Sequence, residues 1–193
     1  MSSIMINKSE IKTKVTPKVT PKVTMVMLQS MNGKLAKDDK DDLKWGGKAD
    51  KEFFGEITQK LGVMIMGSAT FEAMRRKVLP GRRTIVMTSS PERYSEIEDG
   101  NFSASNLAPA ELLEVLAAEG VTEVALTGGA KLGAAFLKAG LVDEIYLTIA
   151  PLAFLPGKDL LNGTEFTEIK LELVGTKLLD QNTINLRYRV LAQ

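Results

Sequence analysis

The chain has 193 residues, of which 44% are hydrophobic and 25% charged, and its formal net charge is +1. These values fit one globular domain, and such a charge gives no reason to expect binding to nucleic acid or to an acidic membrane surface. The sequence contains no cysteine and no histidine, which excludes disulfides, thiolate nucleophiles, Cys/His zinc sites and Ser-His triads. Proton chemistry must therefore come from Asp, Glu, Lys, Tyr or water.

The first 22 residues read as a basic leader. Lys-Val-Thr-Pro occurs at 14–17 and again at 18–21, and prolines at every fourth position forbid a helix and a central strand. Five lysines against one glutamate predict a disordered, solvated tail, with a weak tether to an anionic partner as the alternative. The chain lacks both a membrane-length apolar run and the apolar core of a secretory signal, so we expect a cytoplasmic protein.

Residues 23–193 are expected to form a single domain in which strands alternate with helices. The predicted strands are 23–29, 61–66, 84–88, 102–104, 121–127 and 144–150, and the predicted helices are 49–60, 70–77, 109–119 and 131–139. An antiparallel pair, 170–179 and 183–190, follows them. This order predicts an α/β fold of three layers: a mostly parallel twisted sheet, helices on both of its faces, and a C-terminal antiparallel hairpin.

A polar loop between the first strand and the first helix contains Asp38, Asp39, Asp41 and Asp42. Four carboxylates in five residues raise the question of calcium. An EF-hand loop, however, needs a central glycine and a glutamate at its twelfth position, and both are missing. We therefore expect a solvated loop and no metal site.

Glycine stands at the ends of two predicted parallel strands, as Gly67 and as the pair Gly128-Gly129, while Ser89 and Ser90 close a third strand. Ligands of such sheets bind beyond the carboxyl ends of the strands, where helix N-termini offer free amides and glycine lets a phosphate approach. A dinucleotide site is one interpretation, and glycines that only turn corners are the other. The spacing matches neither Gly-x-Gly-x-x-Gly nor a P-loop.

Asp50 lies one turn before the pair Phe53-Phe54 on the first predicted helix. An acid with apolar neighbours resists ionisation, which suits a role in proton transfer. The alternative is an acidic first-turn residue that stabilises the helix dipole.

Several segments together resemble dihydrofolate reductases. Residues 45–54, Trp-Gly-Gly-Lys-Ala-Asp-Lys-Glu-Phe-Phe, and then Thr58 resemble the part of that family that holds the mobile-loop tryptophan and the substrate-binding helix. Residues 66–72 are similar to the start of its first NADPH-binding helix, and 79–90 to its turn, strand and adenosine-phosphate contacts. The pair at 128–129 matches its double-glycine turn, which has a cis peptide bond.

Residues 140–151, Gly-Leu-Val-Asp-Glu-Ile-Tyr-Leu-Thr-Ile-Ala-Pro, resemble instead the reductase domain of riboflavin biosynthesis, which shares the fold. Ser68 stands where dihydrofolate reductases often hold an arginine for the 2′-phosphate. Asn32 stands where the riboflavin-type pattern has Asp before Gly-Lys, and 155–157 replace its usual Gly-x-Gly. The resemblance covers residues 23–191 and identifies the chain as a member of this superfamily.

The resemblance implies an NADPH-dependent reductase in which Asp50, hydrogen-bonded with Thr148 or water, orients a pteridine-like ring and promotes its protonation. That ring would stack near Phe54, and Arg82 would take the carboxylate of the substrate tail. Trp45 and Thr58 would complete the substrate site. The implied cofactor residues are Gly67, Ser68, Thr70, Thr88, Ser89, Ser90, Gly128, Gly129, Ala130, Lys131 and Leu132.

Three functions follow in order of preference. The first is reduction of dihydrofolate to tetrahydrofolate, and the second is reduction of 5-amino-6-(5-phosphoribosylamino)uracil in riboflavin biosynthesis. The third is a catalytically silent NADP-binding module, suggested by Ser68 alone. All three imply a small-molecule ligand, and the aliphatic residues of 145–154 fit either a core strand or a homodimer contact.

Overall fold

The computed structural model describes residues 20–38, 41, 43–161 and 168–191. Most of the predicted leader, residues 1–19, therefore lies outside the described part of the chain. Pro21 is buried, and the first strand already begins at Lys22, whose backbone amide donates to the Thr122 carbonyl at 2.8 Å. The described part of the sheet thus starts one residue before the predicted boundary at 23.

Ten strands and four α-helices make up the described structure. The strands are β1 Lys22–Ser30, β2 Lys34–Ala36, β3 Val63–Gly67, β4 Arg83–Met87, β5 Phe102–Ser105, β6 Glu123–Leu126, β7 Glu144–Ala150, β8 Lys158–Asp159, β9 Leu171–Leu178 and β10 Ile184–Val190. The helices are α1 Gly47–Leu61, α2 Ser68–Ala73, α3 Pro109–Ala118 and α4 Ala130–Lys138, with short 3₁₀ helices at Lys44–Gly46 and Pro91–Tyr94. Among the described residues, no helix is both long and apolar enough to cross a membrane.

Eight strands form one sheet in the order β5-β4-β3-β6-β1-β7-β10-β9. The pairs from β5 to β7 are parallel, whereas β10 pairs antiparallel with both β7 and β9. The two short strands β2 and β8 form a separate antiparallel pair. This architecture confirms the predicted mostly parallel sheet with a C-terminal antiparallel hairpin.

Both faces of the central strands are apolar because helices cover both. Met64 and Met66 point to one face and pack with Phe71 of α2, next to Phe54 of α1. On the other face, Ile65 belongs to the cluster that includes residues of α3 and α4. Each fully buried side chain of this size contributes about 1.5–3 kcal/mol relative to exposure, so this double burial fixes the strand ends that carry the candidate site.

The helix predicted at 70–77 is wrong at its C-terminal end. Helix α2 ends at Ala73, and Arg75 and Arg76 adopt left-handed φ angles of 56° and 53°. The Arg76 amide then donates to the Phe71 carbonyl at 2.9 Å, which closes the helix end. The other predicted elements agree with the structure within two residues at each end. The β2–β8 pair was not predicted, since strands of two or three residues show no hydrophobic period.

Candidate active site

Two glycine-containing junctions meet at the carboxyl edge of the sheet, where β3 and β6 end side by side. The Gly67 amide donates to the Gly128 carbonyl at 2.8 Å. The peptide bond between Gly128 and Gly129 is cis, as the resemblance implies. The structure thus brings together the two junctions that were predicted separately from the sequence.

The space at these junctions explains the choice of glycine. A Cβ atom on Gly129 would lie 3.2 Å from Thr70 Oγ1, and one on Gly67 would lie 3.6 Å from the Gly129 nitrogen. Gly128 has a φ of +89°, and a Cβ there would lie 3.1 Å from Met27 Sδ. A side chain would be strained at Gly128 and tight against Thr70 at Gly129, whereas at Gly67 it would make only ordinary contacts.

The helices that follow these junctions begin without side-chain caps. The N-cap residues of α2 and α4 are Gly67 and Gly129, which as glycines have no side chain to cap the helix. Backbone amides in the first turn of a helix need an acceptor, and a ligand phosphate can supply it. The residues at this edge therefore fit a dinucleotide, with Ser68, Ala130 and Lys131 in the first turns and Leu132 next to Gly67.

The strand next to β3 provides the third expected cofactor segment. Thr88 follows β4, and its hydroxyl accepts a hydrogen bond from the Ser90 amide at 3.2 Å. Ser89 is exposed and Ser90 half-buried. Because β4 pairs with β3 in parallel register, with Met87 opposite Gly67, these residues end at the same sheet edge as the glycine junctions.

Asp50 is in the first turn of α1 and is largely withdrawn from solvent. Burial raises the pKa of its carboxyl group to about 6, against the lowering effects of a hydrogen bond with Thr148 and of the charge on Lys51. Gly46 makes room for this carboxyl, since a Cβ at that position would lie 3.0 Å from Asp50 Oδ2. Asp50 is therefore an acid that can exchange a proton near neutral pH.

Thr148 joins Asp50 to a residue that was not predicted from the sequence. Its side chain lies on β7, is 1% exposed, and accepts a hydrogen bond from Asn185 Nδ2 at 3.1 Å. Asn185 is 3% exposed and lies directly opposite Thr148 in the antiparallel pair of β7 and β10. The sequence signal for Asn185 was weak: a polar residue within a predicted strand, whose partner only the register reveals.

Trp45 lies in the 3₁₀ helix before α1 and packs edge-on against Phe154, with ring centroids 4.9 Å apart. Its Nε1 donates to Asp41 Oδ2 at 2.9 Å. Asp41 also accepts the backbone amides of Lys37 and Leu43. Asp41 thus organises the loop before α1, while Asp39 and Asp42 of the same acidic run lie outside the described residues.

The aromatic pair of α1 points two ways. Phe54 joins the cluster of Met66 and Phe71 toward α2. Phe53 faces Tyr146 of β7, with ring centroids 6.0 Å apart. Phe54 is thus packed on the core beneath α2, whereas Phe53 lies against β7.

Arg82 and Thr58 are both buried and bonded to each other. Arg82 Nη1 donates to Thr58 Oγ1 and to the Gly55 carbonyl at 3.0 Å, and its Nε donates to the Pro80 carbonyl at 3.2 Å. The Thr58 hydroxyl in turn donates to the Phe54 carbonyl at 2.6 Å. Desolvation lowers the pKa of Arg82. These bonds tie the second half of α1 to the turn before β4.

The described residues hold no group of three or more Asp and Glu side chains placed to bind a metal ion. Asp50 has a threonine and a lysine as its polar neighbours instead of further carboxylates.

The family model of the RibD C-terminal domain matches residues 21–184. Two sequence relatives are an uncharacterised protein, YwjB, from Bacillus subtilis and a dihydrofolate reductase from Lactococcus lactis. YwjB is 29% identical over 168 residues, 82% of this chain and 92% of YwjB. The reductase is 33% identical over 96 residues, 50% of this chain and 54% of the reductase, so the chain matches about half of that enzyme.

Two solved structures show the same fold. RibD from Acinetobacter baumannii superposes with a TM-score of 0.76 at 19% identity, over 90% of this chain and 59% of that one. A dihydrofolate reductase from Enterococcus faecalis, complexed with NADP(H) and RAB-propyl, superposes with a TM-score of 0.63 at 21% identity, over 88% of this chain and 96% of that one. At these identities the likeness concerns the fold.

Proposed function

This chain belongs to the RibD C-terminal domain family, and from that premise we propose that it is an NADPH-dependent reductase whose substrate is dihydrofolate. The family is one of reductase domains, and the superfamily acts on pteridine or pyrimidine rings. The proposal concerns the finer points: the cofactor, the substrate, and the roles of individual residues.

The observation that carries the proposal is the half-buried carboxyl of Asp50 beside Thr148, with its pKa of about 6. Reduction of a carbon–nitrogen double bond adds a hydride to carbon and a proton to nitrogen. A carboxylate held next to the ring favours the protonated nitrogen, because the opposite charges attract in a site of low dielectric. With no histidine in the chain, Asp50 is the residue best suited to this task.

The proposed cofactor site uses residues that fit a dinucleotide. The amides after Gly67 and Gly129 would bind the phosphates, and Ser89 and Ser90 would lie near the adenosine phosphate. When bound, NADPH supplies the hydride, and the chain supplies position and electrostatics. Ser68, in place of an arginine, predicts a weaker preference for NADPH over NADH than an arginine would give.

The substrate preference rests on α1 and on the turn that follows α2. We propose that Phe54 packs against the pteridine ring and that Trp45 and Thr58 shape the site around it. The bonds to Nε and Nη1 of Arg82 fix the plane of its guanidinium and use the hydrogens of both atoms, which leaves the two hydrogens of Nη2 for a tail carboxylate. Asn32, where the riboflavin-type pattern has an aspartate, instead binds the loop at Phe154, with its Nδ2 2.9 Å from that carbonyl.

The second candidate substrate is 5-amino-6-(5-phosphoribosylamino)uracil. The match of the RibD C-terminal domain to residues 21–184 favours it, as does the segment 140–151. Asp50 would serve either ring, so a direct assay must decide between the two.

Purified protein mixed with NADPH and each substrate in turn, and followed by loss of nicotinamide absorbance, tests the proposal. We expect turnover with dihydrofolate, and slower turnover when NADH replaces NADPH. Turnover of the ribosylaminouracil without turnover of dihydrofolate would contradict the first candidate substrate and support the second. Cofactor binding without turnover of either compound would favour the silent NADP-binding module.

A further inference from the structure

Three polar side chains form a row across β7, β10 and β9. Thr148 is opposite Asn185 in the pair of β7 and β10, and Asn185 is opposite Lys177 in the pair of β10 and β9. Directly opposite residues in antiparallel strands project from the same face of the sheet. Because Asp50 bonds to Thr148, the row runs from a half-buried carboxyl to the exposed Lys177.

The hydrogen bond between Asn185 and Thr148 has a defined direction. Asn185 Nδ2 is the donor and Thr148 Oγ1 the acceptor, at 3.1 Å. A hydroxyl group has one hydrogen to donate and two lone pairs to accept with. Since the amide of Asn185 occupies one lone pair, the hydroxyl hydrogen of Thr148 remains available for the carboxyl of Asp50.

We propose that Asn185 is a positioning residue: it holds the Thr148 hydroxyl in the orientation that donates to Asp50 and thereby favours the ionised carboxylate. A hydroxyl that donates to a carboxylate stabilises the charged form of the acid. The importance of Asn185 for turnover rests on the proposed function. Its effect on the ionisation of Asp50 does not, because that ionisation can be measured without substrate.

Charges around Asp50 offer an alternative cause for any change in its ionisation. Among the titratable groups around Asp50 are Lys51 on α1 and, along the strands that carry the row, Glu144 and Tyr146 on β7, Arg187 and Arg189 on β10, and Lys177 on β9. Arg187 is bridged to Glu144 at 2.9 Å. Replacing Asn185 by an apolar residue removes none of these charges, so it isolates the hydrogen bond.

A cavity of about 140 Å³ lies beside Asn185, walled by Phe53, Tyr146 and Arg187 among others. It gives the side chain at this position room for one more methylene group, which makes Asn185→Gln a conservative variant that keeps the amide donor. Asn185→Leu removes the donor at similar size. Asn185→Val does the same with a β-branched side chain that suits a strand.

The test is a pH titration of the Asp50 carboxyl by carbon-13 NMR in the whole, ligand-free protein, with the signal assigned by its loss in Asp50→Asn. We expect Asn185→Leu and Asn185→Val to lower the acid dissociation constant of Asp50 on the order of threefold to tenfold, the range of one net hydrogen bond. Asn185→Gln, which keeps the amide donor, should have an acid dissociation constant of Asp50 close to that of the parent protein. In a Thr148→Val background, Asn185→Leu should add no further change.

Lys177→Met is the matched control, because it alters the next residue of the same row and removes a charge but no bond to Thr148. A parental midpoint in folded Asn185→Leu or Asn185→Val would overturn the inference, as would a further change in the Thr148→Val background. An equal change in Lys177→Met would show that the ionisation of Asp50 responds to replacements in the row that leave the bond to Thr148 intact, and it would overturn the inference too. A shifted midpoint in a protein that does not reduce dihydrofolate would overturn only the proposed function.

Discussion

The carboxyl of Asp50, in the first turn of α1, is hydrogen-bonded to the hydroxyl of Thr148 in the middle of β7. This bond joins the helix that covers one face of the sheet to the strand next to β1. Burial outweighs the bond in its effect on the acid and raises the pKa of Asp50 to about 6. An acid whose pKa is raised in this way lowers the stability of the fold when it is ionised.

Replacing Asp50 by asparagine should therefore stabilise the protein at neutral pH. The folded pKa of about 6 lies above the ordinary value of 3.8 for an aspartate, so the stability contributed by the protonated acid is complete below pH 4 and is lost as the pH rises through 6. Above that pH, Asp50→Asn should be more stable by about 1–3 kcal/mol. Chemical denaturation at pH 4 and pH 8 measures the difference in unfolding free energy between Asp50→Asn and the parent protein. An equal difference at the two pH values would contradict the assigned pKa.

Gly129→Ala should weaken NADPH binding at least about tenfold, or 1.4 kcal/mol. The added Cβ would lie 3.2 Å from Thr70 Oγ1 and occupy the space open to a phosphate, while the φ of −74° permits alanine. Titration calorimetry measures the affinity. Gly55→Ala is the control, since a Cβ there meets nothing within 4 Å, and parental affinity in folded Gly129→Ala would remove this junction from the cofactor site.

Arg82→Leu should destabilise the fold by about 2–4 kcal/mol, because it leaves the buried Thr58 hydroxyl and two carbonyls without their donor. Under the proposed function it should also raise the Michaelis constant for dihydrofolate more than that for NADPH. Arg83→Leu is the matched control: Arg83 pairs with Glu119 at the surface, and such a pair contributes less than about 1 kcal/mol. Equal unfolding energies for the two variants would refute the structural role of Arg82.

The sequence predicted the sheet, its helices and the glycine junctions because these follow from hydrophobic period and from glycine at strand ends. It pointed to Asp50 through the place of that residue one turn before Phe53-Phe54, and to Asp50 and Thr148 through the family resemblance; their catalytic roles stay predictions. It could not reveal Asn185, whose partner is fixed by the register of β10 against β7. Nor could it show that Arg82 is buried, because the charge of an arginine next to a turn ordinarily indicates a surface position.

The left-handed turn at Arg75 and Arg76 was beyond prediction for a different reason. Residues 74–77 carry good helix formers, and local propensity favours continuing α2. The structure ends that helix instead and turns the chain toward β4, where Arg76 bonds to Glu72 and Glu96. Tertiary and side-chain contacts outweighed propensity there.

The most direct test of the central claim is transfer of deuterium from NADPH labelled at the reactive carbon to dihydrofolate, measured by rapid mixing and mass spectrometry. The account predicts one deuterium per tetrahydrofolate formed. It also predicts that Asp50→Asn slows the transfer at least about a hundredfold near pH 8, which is the usual scale for a positioned acid–base group. The loss of rate should be smaller at pH 5, because more of the substrate is already protonated there. Product without deuterium, or an Asp50→Asn variant that transfers it at the parental rate at both pH values, would contradict the account.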